Sequence, residues 1–266
     1  LFSMAARAGR RPDVNRPYRN PDPVHQDRCS RWQDHTPRSL AALAASGAVA
    51  VWPLAAIEQH GEHLPLSTDL DIALGLTDSA LRQLRVDVPV CVLPPLAIGM
   101  SREHTHFPGT LSLSAHTALA AMTEIGEGVA RAGFRRLVML NSHGGNRAVI
   151  DLAALALRES RNMLVVRANY FLIAAPPDAL PDAELRHGLH GGALETALML
   201  HLAPEAVRLE LRPQARSLGE TMAGPGKVLG PEDQAGFAWM ADDLNPGGTT
   251  GDARLPRRAR GPTLLS

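Results

Sequence analysis

The stretch Glu58-Gln59-His60-Gly61-Glu62-His63-Leu64-Pro65-Leu66-Ser67-Thr68-Asp69 is dense in side chains that bind metal or carry protons. Residues two apart in extended chain project to the same side. Glu58 and His60 can therefore converge on one metal or on two adjacent ones. Asp69 follows a turn at Pro65 and can return to the same place. A carboxylate can bridge two cations through its two oxygens, whereas a neutral imidazole has one lone pair to give. Mixed His and carboxylate donors suit Zn, Mn or Fe. A lone Glu-x-His is more often a turn with a charged rim, but this cluster directly follows an apolar run.

Three further stretches carry candidate chemistry. His143 precedes Gly144-Gly145, and paired glycines allow close backbone approach and leave amide donors for an oxyanion. A plain strand-to-helix turn is the alternative. His190 and Glu195 stand at the start of a helical pattern with two glycines between them. Glu195 there is either a ligand or an acid favoured by the helix dipole, and His190 is either a proton carrier or a cap. The loop from Ile98 to Thr110 holds Glu103, His104 and His106, which either face substrate or form a solvated loop.

The elements that must position these residues are legible as apolar runs. Ala48–Leu54, Val88–Leu93, Arg135–Leu140 and Met163–Val166 read as short buried strands. Helical spacing is expected from about Trp32 to Ala45, Asp71 to Leu84, Ser114 to Ala132 and Ala148 to Arg158, and again from His190 to before Pro204. Alternating strands and helices with nearly continuous apolar strands predict an α/β fold, a mainly parallel sheet with helices on both faces. In such sheets ligands bind beyond the carboxyl ends of the strands, where Glu58 and His143 fall. Residues 1–30, rich in Arg, Pro, Asn and Asp, are expected to form an extended or disordered arm. Residues 31–266 are expected to form one domain. The segment 176–189 reads as a loop, and 205–266, rich in Gly, Pro and Arg, shows only weak regularity.

Composition excludes several function classes. Lys+Arg and Asp+Glu are 27 each in 266 residues, so no basic footprint for nucleic acid is expected. Two cysteines, Cys29 and Cys91, give no disulfide framework. No apolar run is long enough for a membrane helix and no secretory signal is evident, so a cytoplasmic location is expected.

Taken in order, Glu58-Gln59-His60-Gly61-x-His63-Leu64-Pro65-Leu66-x-Thr68-Asp69, Phe107-Pro108-Gly109-Thr110, Asn141-x-His143-Gly144-Gly145-Asn146 and His190-Gly191-Gly192-x-x-Glu195-Thr196 resemble the creatininase (creatinine amidohydrolase) family. The resemblance runs from about Trp32 to about Gly261. It implies an α/β fold, two divalent metal ions, hydrolysis of a C–N bond in an amide, and a homo-oligomer, often a hexamer. It assigns Glu58 and His60 to different metals, Asp69 to a bridge, His143 to the first metal and His190 to proton transfer. Creatinine-hydrolysing members take a further carboxylate from a Glu two residues after the strand-end His. Here that position is Gly145, which leaves Glu195 to fill the gap. Phe171 and Arg186 stand near the places of the tryptophans that close over creatinine, and Glu62 where the family often has Pro. Glu62, Glu103, His104, Gly144 and Gly145 are therefore candidates for contact with substrate. The substrate is a small cyclic amide, a formamide or a small peptide-like amide. The alternatives are a catalytically silent metal-binding member that acts as a ligand-binding subunit, and a structural oligomer subunit with a single zinc.

Overall fold

A computed structural model describes residues 29–85, 87–173 and 179–256. Most of the expected N-terminal arm and the last ten residues lie outside them. The described residues fall into two compact units, one holding 29–59 and 66–173, the other 60–65 and 179–256.

The first unit is built on a five-stranded sheet, order β1-β3-β2-β4-β5, with every pairing parallel. Its strands are β1 (Cys29–Arg31), β2 (Val49–Leu54), β3 (Val90–Val92), β4 (Arg136–Asn141) and β5 (Leu164–Asn169). β1, at the edge, is an addition to the four expected strands. A parallel strand covered on both faces must be apolar on both, and Val49-Ala50-Val51-Trp52-Pro53-Leu54 is. Trp52 and Leu54 are fully buried. Pro53 is unusual in an interior strand, since it has no N–H for the ladder. Its carbonyl points to the β3 side, where it accepts from Leu96 N at 3.0 Å. β3 has already ended at Val92, so the missing donor falls beyond the ladder on that side.

Four helices surround the sheet. In α1 (Pro37–Ala45) Thr36 accepts from Ser39 N and Pro37 occupies the first turn. α3 (Ala115–Arg131) starts behind Ser114, whose side chain accepts from Thr117 N. α4 (Arg147–Arg161) runs three residues beyond the expected end, because Asn162 takes a left-handed conformation, φ 51°, that closes the helix. Met122 and Val129 of α3 and Ile150 and Leu157 of α4 join Trp52 and Met139 in one core cluster. Leu70, Ala73 and Leu74 of α2 (Thr68–Gln83) form a separate cluster with Ala55. α2 begins at Thr68, three residues before the expected Asp71. Asp69 therefore lies in the first turn of a helix, not in a loop. Acids at a helix N-terminus are favoured by the dipole, and Asp69 and Asp71 both use that position.

The second unit has short elements. α5 (Asp182–His187) falls in the expected loop, and α6 (Ala193–Leu202) follows two glycines. α7 (Leu218–Met222), α8 (Ala241–Leu244) and two small sheets complete it. The sheets pair β6 (Gln214–Ala215) with β9 (Gly251–Asp252), and β7 (Leu229–Gly230) with β8 (Ala235–Gly236). Among the described residues, no helix is long and apolar enough to cross a membrane.

Candidate metal centre

The residues just past β2 are tied down by backbone and side-chain bonds. Leu111 N donates to Ile57 O at 2.9 Å, Glu58 N to Leu66 O at 3.1 Å, and Gln59 N to Thr110 Oγ1 at 3.1 Å. Thr110 and Leu111 thus brace the residues on either side of Glu58, whose own N–H is held by Leu66. Gly109, φ +90°, leaves room for the Leu66 side chain, which a Cβ there would meet at 2.7 Å.

In the sheet unit the structure gathers Glu58, Asp69, Glu103, His104 and His143. His143 Nδ1 lies 3.1 Å from Glu58 Oε1 and 3.3 Å from Asp69 Oδ2. Donors about 2.1 Å from a tetrahedral ion sit roughly 3.4 Å apart, so the spacing suits a shared cation. The far side of the ring fixes the tautomer. His143 Nε2 donates to Met100 O at 2.9 Å and is 3.3 Å from Ser101 Oγ. The Nδ1 lone pair is thereby aimed at the two carboxylates, the outer-shell arrangement that orients metal-binding histidines. Asn141 and Asn146 frame the residue. Asn141 Nδ2 donates to His143 O at 2.7 Å and Asn141 Oδ1 accepts from His143 N at 3.2 Å. Asn146 reaches Ala55 O at 3.1 Å and accepts from Met100 N at 2.9 Å.

The electrostatics point the same way. Burial alone would raise the Glu58 carboxyl, but His143 beside it holds it down at about 2. Burial alone would depress His143, yet Glu58 and Asp69 push it well above its usual range. Positive charge is thus strongly favoured between these carboxylates, whether carried by a proton or a cation. His104, expected to face substrate, is buried at 2% exposure. Its Nδ1 accepts from Gln59 Nε2 at 2.9 Å and its Nε2 faces Glu58 Oε1 at 3.6 Å. That geometry sets its ring beside the Glu58 carboxylate. Glu103 is partly exposed, with Oε1 3.6 Å from His143 Nε2, and burial raises its carboxyl.

Gly145 has a steric reason to be glycine. A Cβ there would run into the Glu103 carboxylate, the Met100 carbonyl and, at 2.5 Å, His143 Nε2. At Gly144 a Cβ would meet nothing within 4 Å. Gly145→Ala is expected to cost about 1–3 kcal/mol, the usual range for overpacking, while Gly144→Ala stays close to wild type. Urea unfolding of the two variants checks this.

The second unit brings together His60, His190 and Glu195, each offering one donor atom, all within 4.8 Å of one another. His60 Nε2 is 3.8 Å from Glu195 Oε2, and the His60 and His190 rings lie 4.2 Å apart. Glu195 folds back so that Gly191 N donates to its Oε2 at 2.6 Å. Burial would raise Glu195, but His60, then His190 and the Gly191 amide, hold it at about 2. Glu62 is exposed, and Arg186 is engaged by Asp233 at 2.7 Å.

His63, to which the sequence assigned no role, is fully buried in this unit, its Nε2 3.0 Å from Thr196 Oγ1. Its signal was its place in the same dense stretch. Burial first, and then the charge of His60, lowers His63 to about 4. An unfolded His titrates near 6.5, so the unfolded chain binds this proton more tightly. The contribution of His63 to stability is therefore whole above pH 6.5 and falls as pH drops towards 4, by on the order of 3 kcal/mol. Urea unfolding between pH 4.5 and 6.5 is expected to show a flatter pH dependence in His63→Gln than in wild type.

A parallel α/β sheet with His and carboxylate donors past its strand ends defines a metal-dependent enzyme class. The comparisons identify it further. The creatininase (creatinine amidohydrolase) family model matches residues 33–266. The mycofactocin precursor peptide peptidase of Mycolicibacterium smegmatis is 33% identical over 193 residues, 67% of this chain and 72% of that protein. A mutant creatininase of Zn–Zn type superposes with TM-score 0.66 at 27% identity, covering 86% of this chain and 89% of that one. A Mn creatininase superposes with TM-score 0.66 at 26% identity, covering 86% and 90%. The chain belongs to the creatininase family, whose members are metal-dependent amidohydrolases.

Proposed function

We propose that this protein hydrolyses the C–N bond of a small peptide-like amide, using two divalent metal ions, Zn, Mn or Fe. The carrying observation is the triad of Glu58, Asp69 and His143, whose 3.1 and 3.3 Å separations suit one cation. His60 and Glu195 would hold the second ion, and the two donor sets are joined in the chain through Gln59. Asp69, with its two oxygens, is the residue proposed as the bridge. Divalent cations held there would supply a hydroxide near neutral pH and polarise the amide carbonyl. His143 and Glu58 bind, His104 orients Glu58, and His190 passes a proton to the leaving nitrogen. Gly144 and Gly145 offer backbone amides for the oxyanion, and Glu62 and Glu103 are proposed to contact substrate. The preference for a peptide-like amide over a cyclic amide or formamide rests on similarity to the peptide peptidases. A single amidohydrolase domain over 31–266 and a homo-oligomer, hexameric by resemblance, complete the proposal.

The test is a hydrolysis panel of short peptides, formamides and lactams including creatinine, run with added Zn or Mn, with metal counted per chain. Turnover of peptides and two metals per chain are expected. Full metal loading with no turnover across the panel would point to a silent member, and one metal per chain would remove the two-ion scheme. Sedimentation at micromolar concentration reads the oligomer.

A further inference from the structure

In the second unit, Glu184 of α5 is buried at 8% exposure. Both of its oxygens accept backbone bonds, Oε1 from Ala193 N at 2.6 Å and Oε2 from Asp252 N at 2.8 Å. One side chain so joins the first turn of α6 to β9. Three glycines leave it room: a Cβ on Gly188, Gly192 or Gly251 would strike its carboxylate, at 2.6 Å in the case of Gly192. Gly251 also needs its left-handed φ of +100°. A negative group at the start of α6 is favoured by the helix dipole as well.

The His190-Gly191-Gly192 segment leads directly into the Ala193 anchor. Thr250, two residues before Asp252 in the chain, holds its front. Thr250 Oγ1 accepts from Leu189 N at 2.9 Å and His190 N at 3.1 Å, and Thr250 N donates to His190 O at 2.7 Å. The same segment presents Gly191 N to Glu195 Oε2. The carboxylate of Glu184 thus reaches Glu195 through backbone alone, by way of Ala193, Gly192 and Gly191.

We propose that Glu184 is a positioning residue for the His60–His190–Glu195 set, holding the loop whose amide orients Glu195 and whose first residue is His190. The proposal rests on the reading of His60 and Glu195 as ligands of the second ion. A Gln at 184 must turn its amide nitrogen towards one of the two backbone donors, so one anchor is lost while size is kept. Orienting partners of this kind are worth about 10–100-fold in metal affinity.

The experiment measures Zn affinity by chelator competition on the full chain, with far-UV circular dichroism alongside. Glu184→Gln and Gly192→Ala, which pushes a methyl at the same carboxylate, are compared with Glu195→Gln and His60→Ala. Folded Glu184→Gln or Gly192→Ala protein, with Zn affinity lowered about 10–100-fold at the site that Glu195→Gln also weakens, is the expected result. A lowered melting temperature with wild-type affinity in Glu184→Gln, while Glu195→Gln is weakened, overturns the positioning role. So does failure of both Glu184→Gln and Gly192→Ala to fold, which would make the carboxylate a folding element. Wild-type affinity in Glu195→Gln and His60→Ala would remove the metal reading of the set, and the role of Glu184 with it.

Discussion

Glu58→Gln is expected to empty the His143 site and lower turnover on the order of 10³-fold, since a metal supplies several kcal/mol of transition-state stabilisation at 1.36 kcal/mol per decade. Glu58 faces His143 Nδ1 at 3.1 Å and His104 Nε2 at 3.6 Å, and its own exposure is 0%. The amide keeps the volume but removes the charge that draws a cation to this point. It also offers hydrogens where the arrangement needs only acceptors. The lost charge further deprives His143 of the largest influence raising its affinity for positive charge. Metal content by elemental analysis, together with steady-state rates, checks the expectation. Two metals per chain with wild-type rate in Glu58→Gln would remove this residue from the ligand set.

His190→Ala is expected to lower kcat by roughly 10²–10⁴-fold, the span of general acid–base catalysis, with metal content unchanged. His190 is 6% exposed and stacks 4.2 Å from His60. Its backbone is clamped by Thr250 on both the N–H and the carbonyl side. The ring therefore stands beside the donor set without replacing Glu195, whose oxygen is held by Gly191. Loss of metal along with the rate in His190→Ala would make the ring a ligand. A rate within twofold of wild type would end its role as the proton carrier.

How far the fold was legible depends on how local each signal is. Strands β2, β3, β4 and β5 were placed to within a few residues, because each contains a short apolar run; interior β2 and β3 need it for burial, while edge strand β5 keeps it although Leu164 and Val166 are exposed. The caps at Thr36 and Ser114 are local in the same sense, since capping joins residues three positions apart. The start of α2 was set three residues late. Thr68 and Asp69 are polar and break the apolar spacing, yet both are buried, Asp69 against His143. β1 was missed, since three half-buried residues at an edge carry no periodicity. α5 was hidden by its proline- and acid-rich surroundings, and with it Glu184, whose partners lie up to 68 residues away.

The opening cluster shows the same division. By itself the sequence determined the chemistry on offer: His and carboxylate donors directly after buried strands, the glycines beside them, and a parallel sheet to carry them. These follow from residue type and short-range spacing. Only the tertiary structure decided which nitrogen of His143 faces the carboxylates, that His104 turns inward beside Glu58, and that Glu103 occupies the space a side chain at 145 would need. Each is a distance between residues dozens of positions apart. Such distances are set by how strands register and helices pack, and a hydrogen bond or a metal site tolerates errors of only a few tenths of an ångström.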